Sequence, residues 1–164
     1  MMQDERPAQT RYRDIYRSTK TYDFNEGLSC CFRQWRATHS HCSLLHGYAL
    51  SFKFVFATYE LDERNWCCDF GAMKDVKAWL KMMFDHTMVV AADDPHLDTF
   101  RELADKGVVD LRIMPAVGCE ATAKYAFDHV SAWLADLMGD RVWLESVEVR
   151  EHAGNSAIFE RRQY

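Results

Sequence analysis

The sequence predicts an α+β domain: an antiparallel sheet with helices on one of its faces. Three observations carry this expectation. Alternating apolar residues mark strands towards both ends of the chain. Apolar residues at three- and four-residue spacing mark helices between them. Glycine and proline separate the two kinds of segment, giving the order β-β-α-α-α-β-β. A length of 164 residues fits one such domain with a real core.

Residues 1–24 are polar and weakly patterned, and read as an N-terminal extension; residues 25–164 read as a single domain. Leu28 to Ala37 sets Cys30, Phe32 and Gln34 on one side and Cys31, Arg33 and Trp35 on the other, a first strand. From Gly47 to Tyr59, Leu50, Phe52, Phe54 and Phe56 alternate with Ser51 and Lys53. This is a half-buried second strand, expected to pair antiparallel with the first. Met73, Val76, Leu80 and Met83 make one apolar face of a helix running to Phe84. Asp85-His86-Thr87 then opens a loop. Asp94-Pro95 looks like an N-cap followed by proline at the first helical position. Leu97, Phe100, Leu103 and Ala104 form the stripe of that helix, and Gly107 closes it. Val108 to Met114 reads as a short strand. After the break at Pro115 to Gly118, a long helix runs from Glu120 to Met138, with Ala123, Ala126, Phe127, Val130 and Leu134 on its apolar face. Val142 to Glu151 and Ser156 to Arg161 flank a Gly154-Asn155 turn and read as a terminal hairpin.

Composition narrows the function classes. Apolar residues are 48% of the chain and charged residues 27%, as in soluble globular proteins. The net charge of -5, with no run of like charge, argues against nucleic acid as a partner. No apolar run approaches the ~20 residues of a membrane span, and Met1 to Pro7 has no apolar stretch of a secretory signal. The six cysteines include two adjacent pairs and no C-x-x-C, which argues against a disulfide framework or a cysteine zinc ribbon. A cytoplasmic chain with free thiols is the expectation.

The chemistry gathers between the first two strands. His39, His41, Cys42 and His46 fall within eight residues, where a loop enters the sheet. Imidazoles and a thiol in such a place suit a metal site with a reactive group beside it. Cys42, between His41 and His46, is a candidate nucleophile or general base; its alternative is a small buried hydrophobe. Asp85-His86 has the pairing of a proton shuttle, or of a helix end. Glu120 is a first-turn carboxylate favoured by the helix dipole. Glu151, near the end of an apolar strand, could grip a guanidine-like ligand edge through paired hydrogen bonds, or be a solvated strand end.

Taken in order, these segments resemble the family of 6-pyruvoyl-tetrahydropterin synthases and bacterial 6-carboxytetrahydropterin synthases. Trp35-Arg36-Ala37-Thr38-His39 is similar to the family's aromatic-x-Ala-x-His segment. Cys42-Ser43-Leu44-Leu45-His46-Gly47-Tyr48 is similar to Cys-x-x-x-His-Gly-His. Asp69 to Lys74 resembles the Asp-Phe segment that opens the first helix, and Leu80 to Thr87 the segment bearing Asp-His. Gly118-Cys119-Glu120 and Arg150-Glu151-His152 resemble Pro-Thr-x-Glu and Lys-Glu-Thr. The likeness runs from about residue 28 to residue 160.

The resemblance implies the tunnelling fold, in which subunits assemble into a barrel as a trimer or hexamer, with active sites between them. It implies a zinc enzyme, a lyase acting on 7,8-dihydroneopterin triphosphate. Cys42, Asp85 and His86 would be catalytic, Glu120 and Glu151 would anchor the pterin, and histidines would hold zinc. The carboxy-forming reaction yields 6-carboxytetrahydropterin for 7-deazaguanine and queuosine synthesis. The alternatives are the pyruvoyl-forming lyase and a pterin-binding member that does not catalyse. Enzyme and binder differ in whether Cys42, Asp85 and His86 converge. Three departures from the family pattern matter. Tyr48 stands where the third zinc histidine belongs, and a phenol of pKa near ~10 is a poor ligand at neutral pH. The expectation is that His41, His46 and His39 rebuild the metal site; in the competing view zinc is weak or lost and Tyr48 contacts the ligand. The loop from His39 to Cys42 is very short. The stretch from Val89 to Met114 is longer than the family's usual connection, and its helix is expected to reshape the mouth of the site or a subunit contact.

Overall fold

The structure, a computed structural model, describes residues 13–162. Eight strands form two sheets. Strands β1 (Tyr16–Tyr22), β4 (Ser51–Thr58), β7 (Val142–His152) and β8 (Asn155–Glu160) make one sheet in the order β1-β4-β7-β8, antiparallel throughout. Strands β2 (Ser29–Phe32), β3 (His46–Ala49), β5 (Thr87–Ala91) and β6 (Leu111–Met114) make the second, in the order β3-β2-β5-β6. There β3 is antiparallel to β2, while the β2–β5 and β5–β6 pairs are parallel. Helices α1 (Lys74–Phe84), α2 (Leu97–Asp105) and α3 (Cys119–Met138) complete the fold.

The main core follows from the alternation in β4. Phe52, Phe54 and Phe56 lie on one face and are fully buried, with Val147 and Val149 of β7 beside them. Ala123, Ala126, Phe127, Val130 and Leu134 of α3 and Val76, Leu80, Met83 and Phe84 of α1 fill the same core. Each buried aromatic of this kind contributes roughly 2–3 kcal/mol of transfer free energy. The opposite face of the sheet is polar. Arg17 grips Glu145 through two hydrogen bonds of 2.6 and 2.7 Å, and Arg150 pairs with Glu148 at 2.7 Å.

The second sheet is covered on both faces at its central strand β5. Cys30, Phe32, Val89 and Met114 join the main core, whereas Met88 and Val90 face Phe100 of α2 in a smaller one. All of β5 is buried, so its sequence is continuously apolar after Thr87 instead of alternating. That is why Thr87 to Ala91 reads as a loop in the sequence and is a central strand in the structure.

Three further differences have physical causes. Tyr16–Tyr22 is not a loosely docked extension but an edge strand paired with β4, its outer side chains polar because that face meets water. Residues 1–12 of that expected extension lie outside the described residues. The single strand expected from Gly47 to Tyr59 divides at the buried Leu50, and its halves join different sheets. Only the first half pairs with the strand at Ser29–Phe32. The helix expected at Pro95 begins at Leu97, because Asp94 first closes a turn whose carboxylate accepts from the His96 N–H at 2.8 Å.

Tyr22 couples β1 to α1: its buried hydroxyl donates to the Met73 carbonyl at 2.7 Å. Burial, and then the Glu26 charge, push its pKa up to about 12 from the usual 10. The folded protein thus keeps a proton that the unfolded chain releases from about pH 10 upward. The phenol's contribution is complete below pH 10 and is lost between pH 10 and 12. Tyr22→Phe should lower stability at pH 8 by about 1 kcal/mol through the lost hydrogen bond. It should also flatten the alkaline decline, as read by urea unfolding from pH 8 to 11.

Candidate active site

Antiparallel pairing of β2 with β3 sets Cys30 opposite Tyr48 and Phe32 opposite His46. Residues opposite one another share a face, so all four lie on the face that meets the main core. Tyr48 stacks on Phe32 with ring centroids 3.9 Å apart and planes 4° from parallel. Its hydroxyl lies 2.6 Å from Nε2 of His46. Burial, then the neighbouring Cys42, Glu151, Cys119 and Cys30, push the Tyr48 pKa up to about 12. With the phenol held protonated, this hydrogen bond runs from the hydroxyl to Nε2 in the tautomer that carries its ring proton on Nδ1.

Glu151 approaches from β7. The β7–β8 pairing shifts between Arg150 and His152, leaving Glu151 at an irregularity of the kind that re-aims a side chain. Two residues before it, Val149 is fully buried, so the carboxylate continues the inward face towards the start of α3. Asn155 donates to Oε1 at 3.0 Å, and the Cys119 thiol lies 3.9 Å from Oε2. Burial, then Glu151 and Glu120, push the Cys119 pKa up to about 12, and burial does the same for Cys30. Both remain thiols at neutral pH. Glu120 is exposed, so Cys119, not Glu120, is the α3 side chain beside Glu151. Neither Cys119 nor Cys30 is among the residues that the sequence singles out. The signal for Cys119 was its place at the start of the long helix; Cys30 carried none beyond strand alternation.

Cys42 lies on a short turn, His41–Ser43, and is partly buried. The Ser40 hydroxyl accepts from its N–H at 3.2 Å, and its carbonyl accepts from the Gln34 N–H at 2.7 Å. Gln34 in turn packs on Gly118: a Cβ there would come within 2.8 Å of the Gln34 amide nitrogen, and the φ of +109° also calls for glycine. The loop bearing Cys42 is therefore seated against the turn that starts α3.

Asp85 and His86 stand elsewhere. The Asp85 carboxylate meets His86 Nδ1 at 2.5 Å, and His86 takes a φ of +59° with its side chain 89% exposed. The His86 N–H donates to the Ser29 carbonyl at 2.7 Å, at the start of β2. Cys42, tied to Gln34, stands past the other end of that strand, whose four residues span roughly 10 Å at a rise of ~3.3 Å per residue.

His39, His41 and His46 are all exposed, and Tyr48 engages Nε2 of His46. Among the described residues no group of three or more His, Cys, Asp or Glu side chains is arranged to hold a metal. As placed, the three histidines do not fit a three-nitrogen zinc site. All six cysteines are free, and no described helix is long and apolar enough to cross a membrane.

Residues 21–162 match the family model described as 6-pyruvoyl tetrahydropterin synthase. A 6-carboxy-5,6,7,8-tetrahydropterin synthase of Rickettsia felis is 33% identical over 84 residues, 51% of this chain and 57% of that protein. The matched region thus spans little more than half of that relative. Among solved structures, an uncharacterised Wolinella succinogenes protein superposes with a TM-score of 0.73 at 20% identity, over 90% of this chain and 99% of the other. A catalytic-residue mutant of Plasmodium vivax 6-pyruvoyltetrahydropterin synthase gives 0.68 at 14% identity, over 92% and 99%. The Caenorhabditis elegans 6-pyruvoyl tetrahydropterin synthase gives 0.60 at 17%, over 93% and 100%. With a strand pair that carries thiol, imidazole and phenol, and a family match over most of its length, the chain belongs to the 6-pyruvoyl tetrahydropterin synthase family.

Proposed function

We propose that the chain is a 6-carboxy-5,6,7,8-tetrahydropterin synthase-like lyase. It would convert 7,8-dihydroneopterin triphosphate to 6-carboxytetrahydropterin, for 7-deazaguanine and queuosine synthesis. The observation that carries this reading is the Cys42 to Tyr48 segment, which brings a thiol and a phenol into the same neighbourhood as the Glu151 carboxylate. The similarity to the Rickettsia felis protein of that name supports it.

Each group has a chemical task. A carboxylate accepts two parallel N–H bonds from an amino-pyrimidinone edge, and Asn155 already orients Glu151 for this. Cys42, as thiolate, would take the proton whose removal lets a double bond migrate into the ring. His86, oriented by Asp85, would be the second acid–base group. Tyr48, hydrogen-bonded to His46 and protonated across the neutral range, would meet the ligand as a neutral phenol and not act as a base. Because Cys42 and His86 lie at opposite ends of β2, the catalytic set would be completed by a second copy of the chain. Among the described residues the outer edges of β1 and β8 are unpaired, and such an assembly, a trimer or hexamer, would close them. A pterin-binding member without catalysis is the second reading, favoured by the Tyr48 bond to His46.

Three outcomes are expected. Incubation with 7,8-dihydroneopterin triphosphate should give 6-carboxytetrahydropterin by chromatography. Cys42→Ala should lower kcat about 10²- to 10⁴-fold. Glu151→Gln should act mainly on KM, by about 10- to 100-fold. Turnover to neither the carboxy nor the pyruvoyl product would leave the binding reading. Second, activity should elute with an oligomer in light scattering, and mixing inactive Cys42→Ala and His86→Ala variants should restore it. An active monomer would sink the shared-site proposal. Third, Tyr48→His replaces a competitor for His46 with a further imidazole. It should raise zinc affinity by about tenfold or more, as measured by metal titration.

A further inference from the structure

The segment between β5 and α2 meets the Cys42 loop through one guanidinium. Arg33 Nε and Nη2 donate to the two carboxylate oxygens of Asp94 at 2.8 and 2.7 Å, a bidentate pair. The Asp94 side chain is 1% exposed and that of Arg33 19%. The remaining nitrogen, Nη1, reaches the Ser43 carbonyl at 3.4 Å, one residue past Cys42. Phe100 of α2 lies under the guanidinium, 5.9 Å from its ring centroid. The Arg33 hydrogen bonds hold the Asp94 carboxyl below its usual range, so the pair is ionised at neutral pH.

We infer that Arg33 and Asp94 form a clamp through which the β5–α2 segment positions Cys42. The two residues are positioning groups: neither needs to touch substrate. Arg33 enters from the strand side, next to Gln34, whose N–H binds the Cys42 carbonyl at 2.7 Å. Asp94 is fixed from behind by its own turn, where it accepts from the His96 N–H at 2.8 Å. The Cys42 turn is thereby held from two directions, by Gln34 and by Arg33. A lysine at position 33 supplies the charge but not the planar fork that spans a carboxylate and a carbonyl together. The neighbouring pair of Arg36 and Asp93 is different. Its side chains are 71% and 52% exposed, so solvent and salt weaken it.

The inference rests on the proposed function only in taking Cys42 as the reactive group, and its main test does not use the substrate. The rate of Cys42 carbamidomethylation by iodoacetamide, read by peptide mass spectrometry, should rise about fivefold or more in Asp94→Asn and in Arg33→Lys as the turn loosens. In the turnover assay kcat should fall about tenfold or more while KM stays within about twofold, the sign of a misplaced group. Arg36→Ala, the exposed control, should stay within about twofold of wild type in each measurement. Alkylation within about twofold of wild type in both folded clamp variants overturns the clamp, whatever the assay shows. If wild type turns over no pterin triphosphate, the proposed function fails while alkylation still decides the clamp. Should circular dichroism show both variants unfolded, amide exchange of the wild-type protein decides. The Gln34 and Leu44 amides are expected to open with the Leu97 amide of α2; exchange about 100-fold faster than Leu97 overturns the inference.

Discussion

Strand β2 is the constraint on which the site depends. It has four residues, and both of its pairings are fixed by burial. Cys30 and Phe32 must face the main core, so a slip of one residue against β3 would turn both to the wrong side. That register puts Tyr48 over Phe32 and carries His46 with it. The parallel pairing with β5 sets Cys30 beside Thr87 and anchors His86 at the Ser29 end. Hydrophobic packing thus decides where the polar groups stand, and it places Cys42 and His86 at opposite ends of one short element.

Burial also sets the charge state of the site. Tyr48, Cys30 and Cys119 are each pushed towards their neutral forms, for Tyr48 and Cys119 with the added repulsion of Glu151. Removing a phenol or thiol from water penalises its anion, and a nearby carboxylate adds to the penalty. The result is that neutral groups, Tyr48 and Cys119, and not anions, neighbour the Glu151 carboxylate. Tyr48 shows the change most clearly. Where a third imidazole would bind a metal, its phenol is hydrogen-bonded to His46 instead, and it stacks on Phe32.

Much of this was legible in the sequence where one face of an element meets water. The alternation in Phe52, Phe54 and Phe56 and the stripes of α1 and α3 are each present in the structure as expected. What was illegible was set by tertiary context. Thr87 to Ala91 is buried on both faces, so no alternation betrays the strand. The break at Leu50 is invisible because the residue is apolar in either sheet. Tyr16–Tyr22 is an edge strand with a wet face, which composition cannot tell from a tail. In the site, Glu120 and Cys119 are one position apart at the start of α3, and only helix phase decides which one turns towards Glu151. The distance from Cys42 to His86 has no local signature at all, because it depends on the pairing of β2 with β5.

The antiparallel sheet bears on how a second copy would be met. Its inner face is closed by α1 and α3, while its outer face carries Arg17, Glu145, Lys53, Glu148 and Arg150, largely paired among themselves. A face of satisfied ion pairs has little to gain from burial against an apolar partner, since desolvating such pairs costs more than their attraction returns. The edges differ: β1 and β8 present backbone groups with no strand partner among the described residues. Pairing of such an edge with another strand would satisfy those groups and leave the charged face in water.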